Sequence, residues 1–425
     1  MKRALAILLT LLLITASTAF AGNEKLTFSY WGSGLEKESI EAALHDFTEE
    51  TGVEVEPLHI PENYQTKLTT MAAAGTMPDA GYMDESNTIG WAINGMIDNL
   101  NDIYASDTFS ARMESNIFRL DNGDIVGISL ANETIVMFYN KAVFDAAGIA
   151  YPPATADAAW TWDQFIDVCQ QLTVDANGNH PNEAGFDAAN IVTYGARIGK
   201  ASHLLEPLFR SNEGGIYSED YKSIILDSPE TLEVIDALGD MINVQHVHPS
   251  PDQAATVPSM SAAFLSNRLA MQIDGQWSLQ DLAYSAKEDG TQFGIAVLPK
   301  FKKAVTGNTG GPIVLFKDSE HREDAVQLIQ FILNPEKVLG LINSGLWQPT
   351  EQQWYTDESL IGRWMVEGVH PPEYRTAVIE YTLSSMINNS FFHVPTVAKV
   401  NDIYTPALDP VWAGTATAEE AIGSV

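Results

Sequence analysis

From Leu26 onward the apolar positions switch repeatedly between two periods. Leu26, Phe28 and Tyr30 alternate with other residues as a strand does, Ile40, Ala43, Leu44 and Phe47 recur at the spacing of one helical face, and Gly52 stands where a helix C-cap belongs. Val53 and Val55 begin a second strand, so the pattern is a βαβ unit, which calls for a parallel pair with a right-handed crossover. A helix from Leu68 stops at Gly75, and "MPDAGYM" supplies the next short strand. The stretch "DIVGISLANETIVMFYN" reads as extended chain, and "KAVFDAAG" as a helix closed by Gly148. Beyond Pro152 and Pro153, Thr161 and Gln164 have capping-box spacing at the start of a helix carrying Phe165, Val168, Cys169 and Leu172. Ser228-Pro229 opens another, with Leu232, Ile235 and Leu238 on one face. "FGIAVLP" and "GPIVLF" are strands, and Ala325, Leu328, Ile329 and Ile332 mark an amphipathic helix that ends before Pro335. The tail from Tyr374 is mainly helical in pattern, and no internal repeat is present. This alternation predicts an α/β protein of open sheets, in which ligands bind beyond the carboxyl ends of strands.

The first residues follow a different rule. Lys2 and Arg3, an apolar run from Leu5 to Ile14 and the small-residue pattern Ala19-Phe20-Ala21 predict a secretory signal peptide over 1–21. The mature protein is expected in the periplasm, free of a lipid anchor, because the single cysteine, Cys169, is far from the cleavage point. One cysteine also forms no intramolecular disulfide, so stability must come from a core, and Cys169 reads as a small core residue. About 400 mature residues suffice for two domains. Loss of Lys2 and Arg3 takes the formal charge from −33 to −35, which disfavours nucleic acid, anionic lipid and polyanions as partners.

Candidate chemistry narrows the picture mostly by absence. There is no G-x-S-x-G elbow, no H-E-x-x-H and no phosphate-binding loop, and no cofactor is implied. His246 and His248 could share a strand face as metal ligands, but no third ligand is near in sequence, so ordinary surface histidines are the reading adopted. "DANGNHPNE", from Asp175 to Glu183, has oxygens at alternate positions yet lacks a full acidic set, which favours a glycine-centred turn over a calcium loop. The tryptophans say more. Trp31 precedes Gly32-Ser33-Gly34, Trp277 closes the strand-like run "NRLAMQIDGQW" after Asp274, and Trp347 precedes Gln348-Pro349. A tryptophan at a strand end, beside a carboxylate or amide, suits a pyranose ring, whose C–H face stacks while its hydroxyls are bonded. In "NRLAMQIDGQW", Gly275 is expected to let the backbone turn and bring Trp277 to a cleft wall, with the orientations of Asp274 and Gln276 left open.

With those stretches on the page the chain resembles the extracellular solute-binding proteins of ABC-type sugar importers, the group that includes maltose-binding protein. The resemblance is carried in family order by "LTFSYWGSG" with "FTEETGVEV", "NYQTKLTTMAAAGTMPDAGYMD", "WAINGMIDNL", "MFYNKAVFDAAGI" with "TWDQFIDVCQQLT", "NEGG" with "LDSPETLEVIDAL", "AAFLSNRLAMQIDGQW", "VLPKF" and "NTGGPIVLFKDSEHREDAVQLIQFILNPE". It implies a two-lobed periplasmic-binding-protein fold, type II-like, each lobe an open mixed or parallel sheet flanked by helices. Residues 22–130 plus 306–346 would form the first lobe and 131–305 plus 347–425 the second. The chain would cross near Ala131, near Pro299 to Val305, and near Leu346 to Thr350. A ligand would be trapped in the cleft by hinge closure and presented, by a monomeric protein, to membrane permease subunits.

The resemblance also implies cleft residues: Trp31, Ser33 and Gly34 after the first strand, Tyr64, the polar group Asp84, Ser86 and Asn87, then Glu133, Trp277, Gly310 and Gly311; the pattern of tryptophans beside polar residues adds Asp274 and Trp347 as expected ligand contacts. Two departures argue against maltodextrin: Gly34 and Leu35 replace an acidic and basic pair, and Met83 stands where maltose-type proteins have a tryptophan. A sugar is the expected cargo. A polyamine or other organic cation is the alternative, supported by Asp84, Glu133 and Asp274, and an exported glycoside hydrolase ranks third because no acid/base pair stands out.

Overall fold

The computed structural model describes residues 25–104, 112–387 and 389–425, so the expected signal peptide over 1–21 lies outside the described residues. Strand β1 (Leu26–Tyr30) leads through α1 (Gly34–Thr51) to β2 (Val55–His59), which lies parallel to β1 with Leu26 opposite Val55. The Ser33 hydroxyl accepts the Glu36 amide at the start of α1, and Gly52 ends the helix at φ 77°, a conformation that costs glycine little. The predicted stripe Ile40, Ala43, Leu44 and Phe47 is buried, and burying Phe47 alone contributes about 1.5–3 kcal/mol. Next come α2 (Tyr64–Ala74), β3 (Ala80–Tyr82) parallel to β1, α3 (Glu85–Ile93), β4 (Ile97–Asp98), β5 (Ile117–Arg119) and β6 (Ile125–Ser129).

After β6 the chain enters a second sheet. Its elements are β7 (Glu133–Asn140), α4 (Lys141–Ala147), α5 (Trp162–Leu172), β8 (Val174–Asp175), β9 (Ile191–Ile198), α6 (Ser202–Ser211), α7 (Pro229–Asn243), β10 (Leu269–Gly275), α8 (Leu279–Asp289), β11 (Phe293–Ala296) and β12 (Thr306–Thr309). The capping box expected at Thr161 and Gln164 opens α5, and Cys169 is fully buried on its inner face. Strand β13 (Pro312–Phe316) returns to the first sheet, followed by α9 (Arg322–Ile332), β14 (Met386–Ile387) and α10 (Val397–Ala407). The first sheet has the order β2-β1-β3-β13-β6-β5 with β4 beside β13, and the second β14-β12-β7-β10-β9-β8 with β11 beside β7. Both mix parallel and antiparallel pairs, giving two α/β lobes. Among the described residues no helix is long and apolar enough to cross a membrane.

The connections correct two expected boundaries. Thr306–Thr309 does not belong to the first lobe: it pairs antiparallel with β7, Asn308 opposite Thr134 and Thr309 opposite Glu133, so the chain crosses at Gly310-Gly311 and not at Pro299–Val305. "TGNT" lacks an apolar pattern because its ladder lies buried between β7 and β14, where backbone pairing and not side-chain alternation holds it. Gly310 sits at φ 147°, and a Cβ there would lie 1.9 Å from the Ala131 carbonyl oxygen, so the two crossings pass backbone against backbone. The segment around Gln348 runs beside them: its side-chain carbonyl accepts both the Thr134 amide (3.1 Å) and the Thr134 hydroxyl (3.0 Å), and its backbone carbonyl accepts the Asn132 amide (3.1 Å).

The second correction concerns the tail, expected wholly in the second lobe. Phe392 packs on Phe118 of β5 with ring centroids 4.7 Å apart, and Asn401 of α10 donates to Ser202 (3.1 Å) and reaches Ser86 of α3 (3.5 Å). Amphipathic tail helices carry no strand register that would assign them to one sheet, so their docking on both lobes is a tertiary outcome.

Candidate functional site

A cavity of about 270 Å³ opens between the lobes, where the carboxyl end of β1, the start of α3, the crossings and the turn after β10 converge. Aromatic rings form much of its wall. Trp31 meets Tyr64 and Tyr82 edge-on, with ring centroids 5.0 Å apart in each case. Tyr64 fixes this cluster from behind: its hydroxyl donates to the Tyr82 carbonyl (2.8 Å) and pairs with the Ser29 hydroxyl (2.7 Å). Gly311 leaves room for the indole, since a Cβ there would approach Trp31 to 2.6 Å.

Across the cavity, Trp277 lies directly over Gly275. A Cβ on Gly275 would fall 1.7 Å from the ring, yet the backbone there is extended, at φ −81° and ψ 158°. The glycine therefore serves ring placement and not, as expected, a turn that only glycine allows. Trp277 also meets His203 of α6 edge-on at 5.9 Å, and burial pushes that imidazole down to about 4, so it is neutral at ordinary pH. Trp347, 3% exposed, completes the aromatic lining.

Three glutamates face this cavity: Glu36, Glu85 and Glu133. Burial raises Glu36 to about 7, helped by the charge of Asp281, and raises Glu85 to about 7, helped by Asp84. Glu133 is pushed well above the usual carboxylate range by burial and then by Glu85, Glu36 and Asp274. The Gly310 amide donates to Glu85 at 3.3 Å, and the Thr309 hydroxyl to Glu133 at 3.1 Å. Among the described residues no lysine or arginine lines the cavity. The Tyr82 hydroxyl, on a side chain 2% exposed and within the fields of Glu36 and Glu133, has no hydrogen-bond partner among the described residues.

Of the residues expected in the cleft, the structure brings Trp31, Glu133, Trp277, Gly311 and Trp347 to the cavity. Gly310 acts at its edge through the Glu85 contact. Ser33 caps α1 and Gly34 begins it, both exposed, while Tyr64 stays behind Trp31. Asp84 turns away to accept the Asn87 amide (2.8 Å), and Ser86 faces Asn401, because one step along α3 rotates a side chain by about 100°. Asp274 accepts the Gln272 side-chain amide (2.7 Å) and the Gly275 backbone amide (2.9 Å), while Arg197 grips Gln272 at 2.5 Å and 2.8 Å behind it. Gln276 is fully buried and donates to the Gly345 carbonyl.

Sequence reasoning missed Glu36, Tyr82, Glu85, His203 and Thr309. Glu85 had a usable signal, as the first helical residue after the expected Asp84; His203 and Thr309 had none that was local. At the mouth of the cleft, Gln280 of α8 donates to Ser39 of α1 (3.1 Å), and Ser33 is hydrogen-bonded to Asp281, so the two lobes touch on the side opposite the crossings.

Other candidate sites resolve into structure. Asp175 accepts the amides of Asn177, Asn179 and Asp187 at 2.8 Å each, which holds its carboxyl down at about 2 and shapes a turn around Gly178. The His248 ring accepts the Ile198 backbone amide (3.0 Å), His246 bonds the nearby Ile242 carbonyl (3.1 Å), and among the described residues no group of three His, Cys, Asp or Glu is placed to hold a metal ion. A larger cavity of about 800 Å³ lies between α4 and α5, away from the crossings, and among the described residues no tryptophan, tyrosine or phenylalanine forms its wall.

Comparison with known proteins places the family and the fold. The family model described as bacterial extracellular solute-binding protein matches residues 42–358. A Rhizobium meliloti (strain 1021) protein described as a "probable sugar-binding periplasmic protein" is 22% identical over 337 residues, 76% of this chain and 75% of that one. Two solved structures share the fold: an ABC substrate-binding protein of Listeria monocytogenes in complex with cycloalternan (TM-score 0.78, 22% identity, 94% of this chain and 96% of that one), and an ABC transporter solute-binding protein of Thermotoga lettingae bound with alpha-D-tagatose (TM-score 0.77, 20% identity, 94% and 97%).

Proposed function

The chain belongs to the bacterial extracellular solute-binding proteins, and from that premise we propose that it is the substrate-binding component of an ABC importer, capturing a sugar between its lobes and handing it to a membrane permease. The observation that carries the reading is the interlobe cavity, where the indoles of Trp31, Trp277 and Trp347 stand beside carboxylates and a hydroxyl. Flat apolar faces next to hydrogen-bonding groups match a pyranose, which has a C–H face and a rim of hydroxyls. The volume of about 270 Å³ lies just under the range of drug-sized sites and suits a small saccharide better than a long dextrin.

Capture works through the crossings. Ligand touching Trp31 on one lobe and Trp277 on the other gains both contacts only when the lobes are together, so binding shifts the population toward the closed form, in which Gln280 meets Ser39. The protein is monomeric in this reading and acts in the periplasm, free of a lipid anchor, after loss of residues 1–21. It performs no chemistry on its cargo and has no nucleic-acid partner. Calorimetric titration against a panel of mono- and oligosaccharides is expected to yield at least one ligand with a Kd of about 1 μM or below. Silence across the whole panel would refute sugar capture.

A further inference from the structure

We infer that the sugar held in this cleft is a cationic one, an amino sugar whose protonated amine lies among Glu36, Glu85 and Glu133 while its ring faces Trp31 and Trp277. The inference rests on the sugar-capture reading and specifies the ligand chemistry of the same site. Carboxylates withdrawn from water are ordinarily paired with a cation. Here three share one cavity, no lysine or arginine lines it, and none of the three takes part in an ion pair among the described residues. The donors that reach them, the Gly310 amide and the Thr309 hydroxyl, are neutral.

The surrounding charges worsen the mismatch. Glu36 faces Asp281 from α8, Glu85 faces Asp84, and Glu133 faces both other glutamates and Asp274. His203 is neutral, and the Arg197 charge acts on Asp274 from behind Gln272. Above about pH 7, where Glu36 and Glu85 ionise, a neutral sugar leaves this repulsion unanswered. An ammonium supplies the missing charge and three N–H donors, and it is attracted to indole faces.

A second feature lies beside the same space: Tyr82 lines the cavity, and its buried hydroxyl, close to Glu36 and Glu133, has no hydrogen-bond partner among the described residues, so a small shift of the ring would let a ligand amine or hydroxyl satisfy it. A bare metal ion fits less well, since these carboxylates are not grouped closely enough to hold one.

Titration of matched triplets tests the inference: glucosamine, galactosamine and mannosamine, each beside its N-acetyl derivative and its parent neutral sugar, together with the corresponding disaccharides. One amine is expected to bind at least about 10-fold more tightly than both neutral counterparts, and to weaken about 3-fold or more as salt rises from about 0.05 M to about 0.5 M. Its binding should release protons, seen as a buffer-dependent heat, because Glu36 and Glu85 are pushed up to about 7 and an ammonium drives both to ionise. Glu133→Gln, or Glu36→Gln if the first variant fails to fold, is expected to weaken the amine by about 10- to 100-fold and to shrink its advantage over the neutral partner to less than about 3-fold; an advantage left at about 10-fold or more would count against the inference. Equal or tighter binding of a neutral partner overturns the inference and leaves sugar capture standing. Failure of every amine and every neutral sugar overturns both.

Discussion

Substituting Gly275 by alanine tests how the cleft is built, because the new methyl would act only through Trp277. The backbone at Gly275 is extended (φ −81°, ψ 158°), so alanine meets no conformational barrier and gains roughly 0.4–1 kcal/mol by restricting the unfolded chain. Its Cβ, however, would lie 1.7–2.0 Å from three ring carbons of Trp277, against about 3.5–4.0 Å for contact between carbons, so the indole must move by about 2 Å. Trp277 is only partly buried and borders the cavity, which lets the ring swing out. The overpacking cost, normally about 1–3 kcal/mol, should therefore fall at the low end. Binding should suffer instead. Losing an aromatic contact of about 1–3 kcal/mol weakens affinity by a factor of about 5–150, and Trp277→Ala should cost a similar amount.

The decisive assay is a double-mutant cycle measured by calorimetry with whichever saccharide the unmodified protein binds, with thermal melts as a control. In the Trp277→Ala background the alanine at 275 has no ring to displace and should change affinity by less than about 0.5 kcal/mol. The reasoning is refuted if Gly275→Ala leaves affinity intact in the folded protein, or if it weakens binding as much without the indole as with it.

Three further outcomes follow from the same structure. The ligand-free protein should lose stability as pH rises from about 4.5 through about 7: Glu36 and Glu85 hold protons in the folded state that the unfolded chain has already released, which costs at most roughly 3 kcal/mol each above pH 7, and Glu36→Gln should flatten that slope in melts followed by circular dichroism. Gln348→Ala should destabilise the protein by about 1–3 kcal/mol in urea titrations, since it orphans the buried Thr134 amide, and a change under about 0.5 kcal/mol would show that this contact contributes little. Gln280→Ala removes the contacts to Ser39 and Ser344, and should enlarge the radius of gyration in small-angle scattering of the ligand-free protein; an unchanged radius would mean that this contact does not hold the lobes together.

By itself the sequence determined what depends on neighbours along the chain. Strand and helix periods, the Thr161–Gln164 capping box and the left-handed glycines at 52, 75 and 148 are local features, and each lies where the pattern put it. Two strand-end tryptophans were legible too: Trp31 and Trp277 reach the cavity because strand ends are where an α/β sheet presents side chains to a cleft, whereas Trp347 follows the helix Leu339–Asn343 and is brought there by the tertiary fold. Only tertiary structure decided which acid faces the ligand space. Asp84 and Glu85 are adjacent, and the phase of α3 turns the second inward, while Glu36 arrives there because α1 crosses above Trp31 and His203 because α6 docks behind Trp277. The same holds for Thr306–Thr309, which becomes a strand by lying between β7 and β14, and for Gly275, whose reason is a ring two residues on. Local preference sets conformation over a few residues. The shape and charge of the cleft arise where segments about 50 to 315 residues apart meet, at distances no pattern along the chain encodes.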